Sequence, residues 1–152
     1  MQYYSYEMFR GDMQELVEQI DFNPDAIVAI SRGGLTMAHF LGIAFDLRRV
    51  YTISASSFFN KVQHEIQISN IPELGGNQRV LIVDEIVDSG TSMEKVVNIL
   101  KTINPSIDFK TACIYHKPTA SFKPDYILRE AKSWIEFFWE VDIVKSIQEK
   151  QS

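Results

Sequence analysis

Three carboxylates stand within five residues in Asp84-Glu85-Ile86-Val87-Asp88, directly after the apolar run Val80-Leu81-Ile82-Val83. At the end of a buried strand they would repel one another unless a cation or a hydroxyl-bearing ligand joined them. Magnesium suits such acids, because it takes oxygen ligands and keeps several of its waters. Ribose hydroxyls suit them equally. Next come Ser89, Gly90, Thr91 and Ser92, a small hydroxyl-rich turn that opens a helix. Gly90 lets the backbone bend and approach a ligand closely. Amides at the helix start, with the hydroxyls of Ser89, Thr91 and Ser92, can surround a phosphate at the positive end of the helix dipole. A capping box, Thr91-x-x-Glu94, accounts for Thr91 and Glu94 but leaves the three acids unexplained.

Such groups need a rigid support, and the pattern supplies one. Ser5 to Asp21 puts Phe9, Met13, Leu16, Val17 and Ile20 on one side of a helix, which Asn23-Pro24 ends. Ala26 to Ile30 is almost wholly apolar, as a strand covered on both faces must be. Leu35 to Phe45 reads as a helix and Arg49 to Ala55 as a strand. The mixed, polar stretch from Ser56 to Asn77 reads as a long loop or flap, which in a compact domain is usually functional. Arg79 to Asp84 is a strand, and Ser92 to Ile103 a helix closed by Asn104-Pro105. Strands follow at Phe109–Tyr115 and Asp125–Leu128, then an aromatic segment, Trp134–Trp139, and a terminal helix over Val141–Lys150.

Alternating strands and helices imply an α/β fold with a parallel sheet and right-handed crossovers, here as a single domain over residues 1–152. In such sheets ligands bind beyond the C-terminal ends of the strands. Ser31-Arg32-Gly33-Gly34, Asp84–Ser92 and His116-Lys117-Pro118 all fall at such ends. Taken alone, the first of these is equally an ordinary Gly-Gly turn with a surface arginine.

Composition narrows the function. With 45% hydrophobic and 23% charged residues the chain can bury a sizeable core. A net charge of −5 argues against a nucleic-acid or anionic-membrane surface. No apolar run is long enough to cross a bilayer, and the polar, aromatic start does not have a signal-peptide layout. Cys113 stands alone within Ala112-Cys113-Ile114, so it reads as a small core residue, and a reducing cytoplasm fits. Neither a Walker loop nor a dinucleotide fingerprint occurs.

The run Val83-Asp84-Glu85-Ile86-Val87-Asp88-Ser89-Gly90-Thr91-Ser92 resembles the phosphoribosyl pyrophosphate signature of the type I phosphoribosyltransferases. Ser31-Arg32-Gly33-Gly34 is similar to that family's pyrophosphate loop, where a cis peptide is common. Lys117, in Tyr115-His116-Lys117-Pro118, falls where its 6-oxopurine enzymes place a lysine that donates to the base O6. Ser133-Trp134-Ile135-Glu136-Phe137-Phe138-Trp139-Glu140 resembles the Trp-Ile-Glu…Trp-acid segment of the bacterial xanthine–guanine subfamily. The resemblance runs from about Ala26 to Asp142.

The resemblance implies a single-domain parallel-sheet fold with a small hood and a flexible active-site loop. It implies purine salvage, in which guanine, xanthine or hypoxanthine receives the phosphoribosyl group of phosphoribosyl pyrophosphate. Ser31, Arg32, Gly33, Gly34, Asp84, Glu85, Asp88, Ser89, Gly90, Thr91 and Ser92 would bind the phosphoribosyl pyrophosphate, with Asp84 and Glu85 meeting magnesium. Asp88 would be the catalytic base at the purine N7. Trp134 would stack on the purine, and the backbone at Ile135 would read its 2-position. The 56–77 loop would close to exclude water. A homo-oligomer, dimer or tetramer, is usual in the family. Phe137 and Phe138 read as core aromatics. Two departures stand out: Glu85 replaces the subfamily's common aspartate, and residues 56–77 hold no arginine, leaving Lys61 as the cation there and His64 at the aligned position. A non-catalytic binding regulator of the same fold, or transfer to another base, is the alternative.

Overall fold

The strand that carries the acids is longer than its apolar core requires: β5 spans Arg79–Val87 and so runs through Asp84 and Glu85. The computed structural model describes residues 1–59 and 64–151. β5 lies inside a six-stranded sheet, between β2 (Ala26–Ser31) and β6 (Asp108–His116), parallel to both. β3 (Val50–Phe59) pairs parallel to β2, β7 (Tyr126–Glu130) parallel to β6, and β4 (His64–Ser69) closes one edge antiparallel to β3. The order is β4-β3-β2-β5-β6-β7. From β2 the chain steps outward to β3, then returns to build the other half from β5. The C-terminal ends of β2 and β5 are therefore the point where strand order reverses, where ligands bind in open parallel sheets.

Both faces of the sheet are covered, so its central strands are apolar on both sides. Helices α1 (Tyr6–Gln19) and α2 (Leu35–Ala44) bury Phe9, Met13, Leu16, Met37 and Leu41 against Ile27, Ala29, Leu81, Val83 and Ile114. Helix α3 (Thr91–Ile103) buries Met93, Val96, Val97 and Leu100 against Ala26, Val28, Ile30, Val80 and Ile82 on the opposite face. Ser5 caps α1, its side chain accepting from the Met8 amide at 3.2 Å. Cys113 is buried in the α3-side core, and that burial pushes its thiol pKa up, as a packing residue requires.

The structure departs from the pattern in three places. Part of the Ser56–Asn77 stretch is regular: β3 continues to Phe59 and pairs with β4, Ser57 opposite Ile66 and Ala55 opposite Ile68. The alternation Glu65-Ile66-Gln67-Ile68-Ser69 is that of a strand exposed on one face. Lys61 lies outside the described residues. Second, α3 has no capping box. Its N-cap is Gly90, in the left-handed region with φ 89°, while Ser121 Oγ lies 3.3 Å from Glu94 Oε2. Third, Gln2–Tyr4 forms a strand, β1, parallel to β8 (Ile135–Phe137), which leads into α4 (Phe138–Gln151). This small sheet is the hood. Among the described residues no helix is long and apolar enough to cross a membrane.

Aromatic and ionic contacts hold the hood down. Tyr4, Phe9, Tyr115, Phe137 and Trp139 meet edge to face, and Phe137 stacks on Trp139 at 4.8 Å. Phe137 is buried and Phe138 packs against this core, as expected. Beneath them Tyr4 Oη donates to the buried Asp12 at 2.5 Å, and Arg129 donates to both Asp12 oxygens at 2.8 and 2.9 Å. Asp12 thus joins α1, β1 and β7. Asp12→Ala strands a buried hydroxyl and a guanidinium, so chemical denaturation should show a loss of about 2–4 kcal/mol, with Asp12→Asn losing less.

Candidate active site

The three sheet-end segments converge. Ser31 ends β2, and the Ser31–Arg32 peptide is cis. The Ser31 hydroxyl lies 3.2 Å from Ser54 Oγ on β3, which also accepts from Asn70 Nδ2 at 2.9 Å. Gly33 must lack a side chain: a Cβ there would sit 1.3 Å from Glu85 Oε2. The Arg32-Gly33-Gly34 turn therefore lies directly on the acid pair of the neighbouring strand. At Gly34 a Cβ would meet the Val83 carbonyl oxygen at 2.5 Å, so this turn cannot be lifted off β5 without loss. Arg32 is exposed.

Asp84 and Glu85 are buried, each 9% exposed. Asp84 Oδ1 accepts from the Glu85 amide at 2.9 Å. Desolvation, with the charge of Glu85, drives the Asp84 pKa well above the carboxylate range. Desolvation is also the main force on Glu85, pushed up to about 7, with the Glu140 charge adding to it. No group of three or more metal-type side chains occurs among the described residues. Two carboxylates fit a hard ion whose other positions are ligand oxygens and water, as magnesium prefers.

Asp88 lies just past β5 and is exposed, 3.2 Å from the Lys117 ammonium at the end of β6. The Lys117 amide donates to the Val87 carbonyl at 2.9 Å, so the backbone rather than the exposed ion pair sets this approach. A cavity of about 410 Å³ opens here, lined by Glu85, Ile86, Asp88, Lys117 and the hood residues Ala131 to Ile135, Phe137 and Glu140. Trp134 is 73% exposed at its rim. Ile135 is buried, and its backbone is presented by the hood sheet. Since Gln2 N donates to the Trp134 carbonyl at 2.8 Å and Gln2 pairs with Ile135, the Ile135 amide and carbonyl are directed away from β1. A second cavity of about 190 Å³ is lined by residues from Asp84 to Met93, including Ser89, Gly90 and Ser92. The two share Glu85, Ile86 and Asp88. The combined site thus offers a hydroxyl- and amide-lined anion pocket, an acid pair, and an aromatic-rimmed slot with an acid and an ammonium on one wall.

Lys61 aside, the site residues singled out from sequence lie at these sheet ends or beside the hood, although Ser31 to Gly34 and Thr91 line neither cavity. The Thr91 amide donates to Ser89 Oγ at 3.3 Å. Ala131, Lys132, Ser133 and Glu140 also line the slot and were given no site role from sequence. Desolvation raises the Glu140 pKa and the charge of Arg32 opposes it, so this hood acid feels both the turn and Glu85. Its place in the quoted Trp-Ile-Glu…Trp-acid segment was the available signal. His116 Nε2 contacts the Phe122 carbonyl at 3.1 Å, and Tyr3 donates to Asp142 at 3.0 Å; neither His116 nor Asp142 lines the slot.

The phosphoribosyl transferase domain matches residues 6–145. The xanthine-guanine phosphoribosyltransferase of Cereibacter sphaeroides is 31% identical over 148 residues, covering 90% of this chain and 85% of that protein. The structure of the Helicobacter pylori xanthine-guanine-hypoxanthine phosphoribosyltransferase superposes with a TM-score of 0.91 at 43% identity, covering 97% of this chain and 98% of that one. A purine phosphoribosyltransferase from Pyrococcus horikoshii has a TM-score of 0.81 at 29% identity, covering 90% and 92%.

Because the folded pair holds its protons above the ordinary carboxylate range, the ligand-free folded chain binds more protons than the unfolded one between about pH 4.5 and pH 7. Stability therefore falls as pH rises through that window. Glu85→Gln removes the repulsion, so it should flatten that fall and stabilise the ligand-free protein by about 1–3 kcal/mol at neutral pH. A pH series of thermal melts checks this; unchanged slopes would contradict it.

Proposed function

The chain belongs to the phosphoribosyl transferase family, and from that premise we propose that it salvages 6-oxopurines. The reaction transfers the phosphoribosyl group of phosphoribosyl pyrophosphate to guanine, xanthine or hypoxanthine and releases pyrophosphate. The observation that supports this most is the pairing of Asp88 with Lys117 on the wall of a slot rimmed by Trp134. The N7 and 6-oxo groups of a purine stand side by side on one edge. A carboxylate and an ammonium 3.2 Å apart match that edge, one toward the N7 proton and one toward O6. The Ile135 backbone would then face the 2-position, and the Trp134 ring would cover the base.

In this reading the amides and hydroxyls of Ser89 to Ser92 hold the 5′-phosphate, at the start of α3 where the dipole favours an anion. Arg32 and the backbone of Ser31, Gly33 and Gly34 face the pyrophosphate. Asp84 and Glu85 take the ribose hydroxyls and would hold magnesium, whose charge would neutralise the pyrophosphate as it leaves. The purine nitrogen displaces pyrophosphate at C1 with inversion. Asp88 accepts or shares the N7 proton, a contribution of about 10²–10⁴ in rate. Arg32 and the surrounding amides are fixed before the charge develops on pyrophosphate, which is what makes such groups effective. We further propose one working domain over residues 1–152, a cytoplasmic setting, and a homo-oligomer. The exposed apolar side chains Leu35, Phe40 and Ile43 on α2 support the last.

The test is pyrophosphate release from phosphoribosyl pyrophosphate and magnesium, with guanine, xanthine, hypoxanthine, adenine and uracil supplied separately. Release with 6-oxopurines alone is expected. Binding without turnover would instead favour a regulator of the same fold. Asp88→Asn should lower kcat by about 10²-fold or more while phosphoribosyl pyrophosphate affinity changes little. Equal losses in the two would remove Asp88 from its role.

A further inference from the structure

The turn that ends β5 is held from behind by the connection between β6 and β7. The Ser89 carbonyl accepts twice from one residue: from the Ser121 amide at 2.8 Å and from Ser121 Oγ at 3.0 Å. The same hydroxyl lies 3.3 Å from Glu94 Oε2 in the first turn of α3. Gly90 is wedged beside it, since a Cβ there would meet the Phe122 amide nitrogen at 2.6 Å. The Ser89–Gly90 peptide is trans, the one cis bond among the described residues being Ser31–Arg32. In a trans peptide the carbonyl and the following amide point in opposite directions. Anchoring the Ser89 carbonyl toward Ser121 therefore turns the Gly90 amide toward the other side. That side is the 190 Å³ cavity, which no residue of the connection lines among the described residues.

We propose that Ser121 is a positioning residue for the phosphate of the sugar substrate: it aims the Gly90 amide into the anion pocket. The inference rests on the reading of Ser89–Ser92 as the phosphate-binding turn. It assigns Ser121 an effect on the sugar phosphate and none on the base. Lys117 begins the same connection but is held separately, by its own amide on the Val87 carbonyl, so the two ends of the strut serve different parts of the site.

The test compares wild type, Ser121→Ala and Ser121→Thr. Each is titrated calorimetrically with ribose 5-phosphate, and its KM is measured for phosphoribosyl pyrophosphate and for the base. Ser121→Ala should weaken ribose 5-phosphate and raise the phosphoribosyl pyrophosphate KM by about 3- to 10-fold, the effect of one hydrogen bond, with the base KM and melting temperature unmoved. Ser121→Thr, which keeps the hydroxyl, should restore wild-type values. Unchanged sugar-phosphate affinity, a parallel loss for the base, failed rescue by threonine, or no ribose 5-phosphate binding by wild type would each overturn the proposal. If wild type binds ribose 5-phosphate yet, supplied with phosphoribosyl pyrophosphate, transfers its phosphoribosyl group to no base, the transfer reading fails while the titration still decides the role of Ser121.

Discussion

Two adjacent carboxylates at the buried end of a central strand are the constraint around which this fold is arranged. In an extended strand neighbouring side chains point to opposite faces, so Asp84 and Glu85 reach different surroundings while sharing one desolvated end of β5. Burial keeps both protonated beyond the ordinary range, with the charge of Glu85 adding to it at Asp84 and the charge of Glu140 at Glu85. Among the described residues no cationic side chain pairs with either acid; the neighbouring turn supplies glycine instead. Gly33 gives up its Cβ so that the neighbouring turn can lie on the Glu85 carboxylate. A site with a buried acid pair beneath and the exposed Arg32 above is poised for a ligand that brings both a cation and anionic oxygens. Its stability is lower for having that arrangement, and the ligand recovers the difference.

The rest of the molecule places two pockets on either side of that pair. The start of α3 and its glycine cap line the smaller cavity, and the hood forms the aromatic slot. The hood is a late addition to the chain held by an early one. β8 is secured by β1, by edge-to-face contacts of Tyr4, and by the Asp12–Arg129 pair under them. Sequence-distant ends are thus tied together to set the depth of the slot, while the reversal of strand order between β2 and β5 sets its position.

Legibility from sequence followed the range of the interactions. The chemistry-bearing runs were readable because their residues act locally: three acids and a hydroxyl turn after an apolar strand need a ligand wherever they lie. The parallel order followed from the alternation of apolar runs with amphipathic helices. What depended on distant partners was not readable. The three residues of β1 carry no strand signal of their own and become a strand through β8. The hairpin of β3 and β4 was hidden because Ser54, Ser56 and Ser57 resemble loop residues, though Ile66 and Ile68 keep the period of a strand. Thr91 and Glu94 had the spacing of a capping box, but Gly90 takes the cap and Ser121 approaches Glu94 from another connection. Glu140 stood in a quoted motif, yet only its packing near Arg32 and Glu85 reveals that it faces the slot.

The central claim is that the Asp84–Glu85 pair is completed by a magnesium-bearing sugar pyrophosphate. Calorimetric titration of the wild-type protein with phosphoribosyl pyrophosphate, in excess magnesium and again with the metal chelated, tests it most directly. The account predicts binding at least about tenfold tighter with magnesium, a difference of about 1.4 kcal/mol or more. Equal affinity in the two conditions would contradict it.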